Sequence, residues 1–113
     1  MSFAVRLVPD ELRSLSFAGI GGVFVPVGGP FAHPMRIISI KNLTNQNLTF
    51  SFDGINPHDV VPAEAGVVYD FCTNRITNDG AFIAAGTQIF VEDNGVAPTS
   101  GAVFITCFYG FGD

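Results

Sequence analysis

Between Arg36 and Gly54 the chain reads RIISIKNLTNQNLTFSFDG, and its second half alternates without a break. Leu48, Phe50 and Phe52 are separated by Thr49 and Ser51 and flanked by Asn47 and Asp53. A period of two places successive side chains on opposite faces of a strand, so one face of this run is apolar and the other polar. The preceding run, with Ile38 and Ile40 against Ser39 and Lys41, follows the same rule, although Ile37 interrupts it. A polar loop, Asn42 to Asn47, separates the two, and Asp53-Gly54 is a turn signal. The pair therefore reads as a β-hairpin with Ile38, Ile40, Leu48, Phe50 and Phe52 inside. Its outer face would carry Ser39, Lys41, Thr49 and Ser51.

The remaining chain repeats short extended runs between Gly, Pro, Asn and Asp. Phe3 to Val8 is a candidate first strand. Pro9 to Arg13 has proline at a first helical position and acids in a first turn, which predicts one helical turn. Phe17 to Val27 is apolar and laced with glycine, centred on Val23-Phe24-Val25. Glycines in such a setting mark bulges or the close approach of another backbone. Gly28-Gly29-Pro30 is a turn, and Phe31 to Pro34 leads extended into the central run. Val67 to Thr73 and Gln88 to Glu92 read as strands, with Asn78-Asp79-Gly80 and Asp93-Asn94-Gly95 as turns. Ala102 to Tyr109 is apolar on both faces and reads as a strand buried on both sides. About seven to nine short antiparallel strands with little helix describe an all-β fold, a β-sandwich or jelly roll. Residues 1–113 form a single domain, with an N-terminal arm over about 1–14 and a short tail over 110–113.

Composition narrows the function. Charged residues are 13% of the chain, about half the ~25% of an average soluble domain, while 48% are hydrophobic, including 12 Phe. A domain of 113 residues has too much surface for its volume to hide all of this in one core. Part of the apolar surface should be buried against neighbours. The formal net charge is −5, and the basic residues, Lys41 with Arg6, Arg13, Arg36 and Arg75, are scattered. No cluster exists to neutralise a phosphate backbone, which argues against nucleic acid as a partner. Ser14 to Met35 carries no Asp, Glu, Lys or Arg, but eight glycines and prolines interrupt it, so it is not a membrane span. The start, Met1 to Arg6, lacks the features of a secretory signal. Cys72 and Cys107 sit in strand-like runs and read as free buried thiols acting as small hydrophobes, with one disulfide left open by the even count.

No constellation carries chemistry. His58-Asp59 is the single adjacent His/Asp pair, and no serine lies in a nucleophile turn that could use it. The prolyl loop around it is ordinary turn chemistry. His33 and His58 are far apart in sequence, and neither cysteine has a partner at metal-ligand spacing. Asn78-Asp79-Gly80 and Asp93-Asn94-Gly95 lack the repeated acids of a calcium loop. Gly19 to Gly22 lacks the spacing of a dinucleotide loop. The expectation is no catalytic residue, no metal and no cofactor. A carbohydrate-binding face built from aromatic and polar loop residues is the one ligand alternative, weakened by the absence of Trp.

Several segments together resemble small structural proteins of tailed bacteriophages. They are Leu12-Arg13-Ser14-Leu15-Ser16-Phe17, Pro34 to Thr44, Phe50-Ser51-Phe52-Asp53-Gly54, Val61-Pro62-Ala63, Tyr69 to Arg75, Ala85 to Val91 and Pro98 to Ile105. The resemblance spans roughly Leu12 to Tyr109 and rests on turn-and-strand patterns, not on catalytic signatures. It implies a virion β-sandwich assembled in the host cytoplasm, without an active site. The first expectation is a capsid cement (decoration) protein that self-associates and bridges major capsid subunits. A neck or tail adaptor, or a fibre-proximal component, is the alternative. Partners would be a second copy of the chain and the major capsid protein or other virion proteins, with no nucleic acid and no membrane. The contact residues expected are Phe17, Ile20, Val23, Phe24, Val25 and Phe31 of the glycine-rich segment, Phe3 of the arm, and Tyr109 and Phe111 near the tail. The competing expectation is that Phe17 to Phe31 fills the core.

Overall fold

A computed structural model describes residues 6–72 and 83–112. They form nine strands: β1 (Leu7–Pro9), β2 (Arg13–Ser16), β3 (Val25–Pro26), β4 (Met35–Asn42), β5 (Leu48–Ser51), β6 (Asp59–Val61), β7 (Ala65–Asp70), β8 (Phe90–Asp93) and β9 (Ala102–Gly110). One 3-10 turn, Phe17–Gly19, is the helical element among the described residues. All pairings between these strands are antiparallel, in two sheets. The first sheet runs β1-β9-β4-β7, with β2 also on β9, and the second runs β3-β8-β5-β6.

The order has a simple logic. β1 and β2 lie along the same edge of β9, at Phe108 to Gly110 and Ala102 to Ile105, and act as one broken strand. The pairs are then nested: β1/β2 with β9, β3 with β8, β4 with β7, β5 with β6. This is one long hairpin whose tip is the loop after β5. Rolling it up brings β9 beside β4 and β8 beside β5. The result is a jelly roll, the double-sheet solution that turns a long β-ribbon into a closed core.

The core lies between the sheets. Ile38, Ile40, Val103, Ile105 and Cys107 project from the first, and Leu48, Phe50, Val61 and Val91 from the second, all essentially without exposure. Ile20, Val27, Phe31 and Ile89 close its sides. The alternation read in the sequence thus picks the inward face correctly.

The hairpin does not form. β4 pairs with β7 and β9, and β5 with β6 and β8, so Asn42 to Asn47 carries the chain from one sheet to the other. Asn42 is fully buried at that corner and spends its whole amide there. Its Nδ2 donates to the carbonyls of Gln46 and Val61 (both 2.9 Å) and Pro62 (3.2 Å). Its Oδ1 accepts from Thr44 N–H at 3.0 Å and from Thr44 Oγ1 at 2.6 Å.

Other expectations also move. Thr49 and Ser51 are buried, because Asn94 and the loop after β5 cover them: Thr49 Oγ1 donates to Asn94 Oδ1, and Ser51 Oγ accepts from Gly54 N–H. Pro9 to Arg13 makes no helical turn. Asp10, Glu11 and Leu12 stand opposite two residues of β9, a bulge of one residue, and Asp10 N–H donates to Cys107 O. β9 is buried on its inner face, while Phe104 and Phe108 on its outer face are only half covered. Cys107 is buried and Cys72 exposed, because β7 ends at Asp70 before the second thiol; both are free. Nor does the tail stand apart: Gly110 belongs to β9, and Phe111 N–H donates to Arg6 O at 2.7 Å.

Candidate functional site

In this topology the β2–β3, β4–β5, β6–β7 and β8–β9 loops share one end of the sandwich. Backbone and side-chain bonds lock three of them together. Phe17 N–H donates to Gly101 O, Leu43 N–H to Ala102 O, and Asp93 N–H to Gly21 O. Asn45 and Thr99 bond twice, Nδ2 to Oγ1 at 2.8 Å and Thr99 N–H to Oδ1 at 2.9 Å. Gly101 makes this possible: it sits at φ +89°, and a Cβ there would stand 2.0 Å from the Leu43 carbonyl oxygen. Val23, Leu43 and Val96 protrude from this end.

At the opposite end, Arg13 ties β2 to the β3–β4 loop. Its Nη1 donates to Asp10 Oδ2 at 2.9 Å, its Nε to Gly29 O at 3.2 Å, and its guanidinium lies 4.8 Å from the Phe31 ring centre. Burial pushes the Asp10 carboxyl up, but bonds from Arg13 and the Glu11 N–H together with the Arg13 charge outweigh it and hold it below the usual range. A polar groove of about 540 Å³ runs between Asp10 to Ser14 and Gly28 to Ala32. Its cation is already committed to internal partners.

The His58-Asp59 pair is divided by the fold. His58 Nδ1 accepts from Phe52 N–H at 2.9 Å, and its Nε2 lies 3.9 Å from Asp53 Oδ2. Asp59 turns the other way and accepts from the Tyr69 hydroxyl and from Val60 N–H. Burial and then this carboxylate raise the Tyr69 phenol above its ordinary value. The N–H groups of Asn56 and Ile55 and the Ser51 hydroxyl hold the Asp53 carboxyl well below the usual range. Asp93 Oδ1 likewise accepts from Gly95 N–H, so Asp93-Asn94-Gly95 is a turn. Asn78-Asp79-Gly80 lies outside the described residues. No group of three or more His, Cys, Asp or Glu is placed to hold a metal among the described residues.

The expected contact residues are scattered over the molecule. Ile20 and Phe31 are in the core, 5% and 3% exposed, so neither offers surface to a neighbour. They fill the space between sheets, as the competing expectation had it. Val25 packs against the same core, and Phe17 and Phe24 are half-buried. Tyr109 is half-buried in a parallel stack with His33 at 3.9 Å. Val23 (69%) and Phe111 (63%) are exposed, and the Arg6 guanidinium covers one face of the Phe111 ring at 4.3 Å. Phe3 lies outside the described residues.

The sequence reading passed over Ile55, Val60 and Val68, exposed by 78%, 49% and 62%. Val60 lies on β6 and Val68 on β7, the edge strands of the two sheets on the same flank. Period-two alternation marks Val68 as outward, opposite to Val67 and Tyr69. No family model, curated protein or solved structure matches the chain.

Proposed function

We propose that the protein is a non-enzymatic structural component of a phage particle, a cement protein that self-associates and bridges major capsid subunits. The observation that carries this reading is the surface of the jelly roll. Among the described residues, eight large hydrophobic side chains stand exposed on a small domain, spread over both loop ends, the β6/β7 flank and, at Leu12, the β1/β2 edge. Apolar surface of this kind marks contact with other proteins. Low charge suits a shell in which each subunit is surrounded by neighbours, and many weak, identical sites then hold firmly. Fold alone would not decide the matter, since jelly rolls also serve lectins and enzymes.

The neck or tail alternative uses the same contacts at another place in the particle. The carbohydrate-binding alternative has less behind it. Phe52, Tyr69 and Phe71 pack on one another, edge-on at 5.7 Å and stacked at 6.4 Å, and the Tyr69 hydroxyl is held by Asp59. Titration onto undecorated capsid shells tests the reading. Saturation at a copy number matching the shell is expected, and no binding at tens of micromolar overturns the cement role. Imaging of an intact particle then separates shell from neck or tail. Glycan binding by the isolated protein would favour the carbohydrate-binding alternative.

A further inference from the structure

A jelly roll leaves four sheet edges, and three of them here are blunted in the ways that natural sheets use against unwanted pairing. β3 has two residues, one of them Pro26. β6 has three and runs into Pro62. The β1/β2 edge is broken by the bulge at Asp10 to Leu12 beside Pro9. β7 is different. It runs six residues, Ala65–Asp70, with no proline and no bulge, and its sole charge is at the end. Among the described residues nothing pairs with its outer side.

The direction of the free groups follows from the ladder. Phe71 N–H donates to Arg36 O, and the register pairs Tyr69 with Ile38 and Val67 with Ile40. Antiparallel bonding alternates, so residues 65, 67, 69 and 71 bond to β4. The N–H and C=O of Gly66, Val68 and Asp70 therefore point out of the sheet edge. Cys72 N–H, next in this series, is capped by Asp70 Oδ1 at 2.9 Å, which ends the open stretch.

We propose that β7 pairs antiparallel with β7 of a second copy about a two-fold axis at Val68, joining the two first sheets into one. Only registers pairing residues of like parity keep core side on core side. Centring on Val68 sets Val68 opposite Val68 and Gly66 opposite Asp70 of the second copy, which satisfies the outward groups of all three residues. On the core side it sets Val67 against Tyr69, a favourable β-branched to aromatic pair.

Charge selects this occupant. Lys41 is the neighbour of Gly66 on the outer face, and a Cβ on Gly66 would touch the Lys41 Cγ at 3.5 Å. The lysine stem thus passes over a residue without a side chain, toward the open edge. Lys41 has no acidic partner among the described residues. In the dimer the residue facing Gly66 is Asp70 of the second copy, so two symmetric Lys41–Asp70 ion pairs form across the glycines. The dimer gives a geometry to the self-association proposed above and is separable from capsid binding.

The test is the mass of the protein by analytical ultracentrifugation across micromolar concentrations. The wild type should be dimeric at tens of micromolar. Val68→Lys sets like charges on the two-fold axis and should be monomeric there. Val68→Pro should be too, because the lost N–H points away from β4 and no intramolecular bond goes with it. Cooperative melting of both variants at the wild-type temperature, measured at a dilution where the wild type is also monomeric, shows that both fold. Lys41→Glu should weaken the dimer about tenfold, from two pairs at roughly 0.7 kcal/mol each, and adding Asp70→Lys should restore it. A monomeric wild type overturns the proposal whatever the shell titration gives. Dimers that survive both Val68 variants overturn the β7 pairing while leaving self-association standing. Failure of the double charge swap to rescue overturns the register.

Discussion

Asn42→Ala is the substitution on which the account of the inter-sheet corner depends most. Truncation leaves Thr44 N–H without the acceptor it has at 3.0 Å, and the Val61 carbonyl without the amide at 2.9 Å. The Gln46 carbonyl keeps the Thr44 hydroxyl at 3.1 Å, so it is not stranded. A buried polar group left unsatisfied costs ~1–3 kcal/mol, and two of them give a loss of about 2–6 kcal/mol, with ~4 kcal/mol central. That is a large share of the ~5–15 kcal/mol available to a domain. At ~4 °C per kcal/mol for this size, the melting temperature should fall by about 16 °C. Urea unfolding of wild type and variant measures the loss directly, and the slope with denaturant should not change. Asn47→Ala in the same loop is the control. Its Oδ1 accepts from Ala63 N–H at 3.1 Å, but in an exposed setting, so the loss should stay under ~1 kcal/mol. Equal losses at 42 and 47, or less than ~1 kcal/mol at 42, would refute the assignment of Asn42 as the buried hinge between sheets.

Three further outcomes follow from described features. Gly101→Ala should cost more than about 3 kcal/mol, since it combines φ +89° with a Cβ 2.0 Å from backbone oxygen; Gly95→Ala, at φ +100° with open space around it, should cost only about 1–2 kcal/mol, and parity of the two in a thermal melt would contradict the loop packing. The carboxyls of Asp10 and Asp53 are both held below their ordinary value, so their contribution is complete above about pH 4 and is lost as pH falls through the folded values; Asp53→Asn should flatten the acid limb of the stability curve, and an unchanged limb would remove that linkage. Burial pushes the Cys107 thiol up to about 11, whereas Cys72 is exposed; a thiol reagent at pH 8 should titrate one group in the native protein and two after unfolding, and two rapid groups would place Cys107 wrongly.

The β class and the inward face were legible because alternation is a local property. Leu48 and Phe50 point inward in whichever sheet they lie, and that is why the same alternation could not show that β4 and β5 belong to different sheets. A six-residue polar loop suits a hairpin and a corner equally well. Only the burial of Asn42 separates the two, and a polar side chain gives no sign in sequence that its five bonds are waiting. The burial of Thr49 and Ser51 escapes the alternation for a related reason: Asn94, far off in sequence, and the loop directly after β5 cover the outer side of that strand. Pro9 to Arg13 carries genuine helix-start chemistry, yet the ladder with β9 on both sides leaves room for a bulge and no more. Among the contact residues, Phe and Ile in the glycine-rich stretch suggested surface because of their neighbours, but Ile20 and Phe31 close the core. Val68 was hidden in the apolar and aromatic run Val67-Val68-Tyr69, and only the open edge gives it meaning.

The place of β9 has a consequence for synthesis. β9, the last of the nine described strands, occupies an interior position in its sheet, flanked by β4 on one side and by β1 and β2 on the other. During translation the first hundred residues therefore emerge with their inner surfaces made but the strand that joins them still missing. Pairing between strands so far apart in sequence is slow, because closure of the long intervening loop comes before its reward. Until residue 110 has left the ribosome, β1 and β2 have no ladder partner and β4 has only one. The nascent chain must keep apolar segments such as Met35 to Ile40 from pairing elsewhere for that interval. Interrupted products ending before β9 would present the same open surfaces permanently and should be cleared or aggregate.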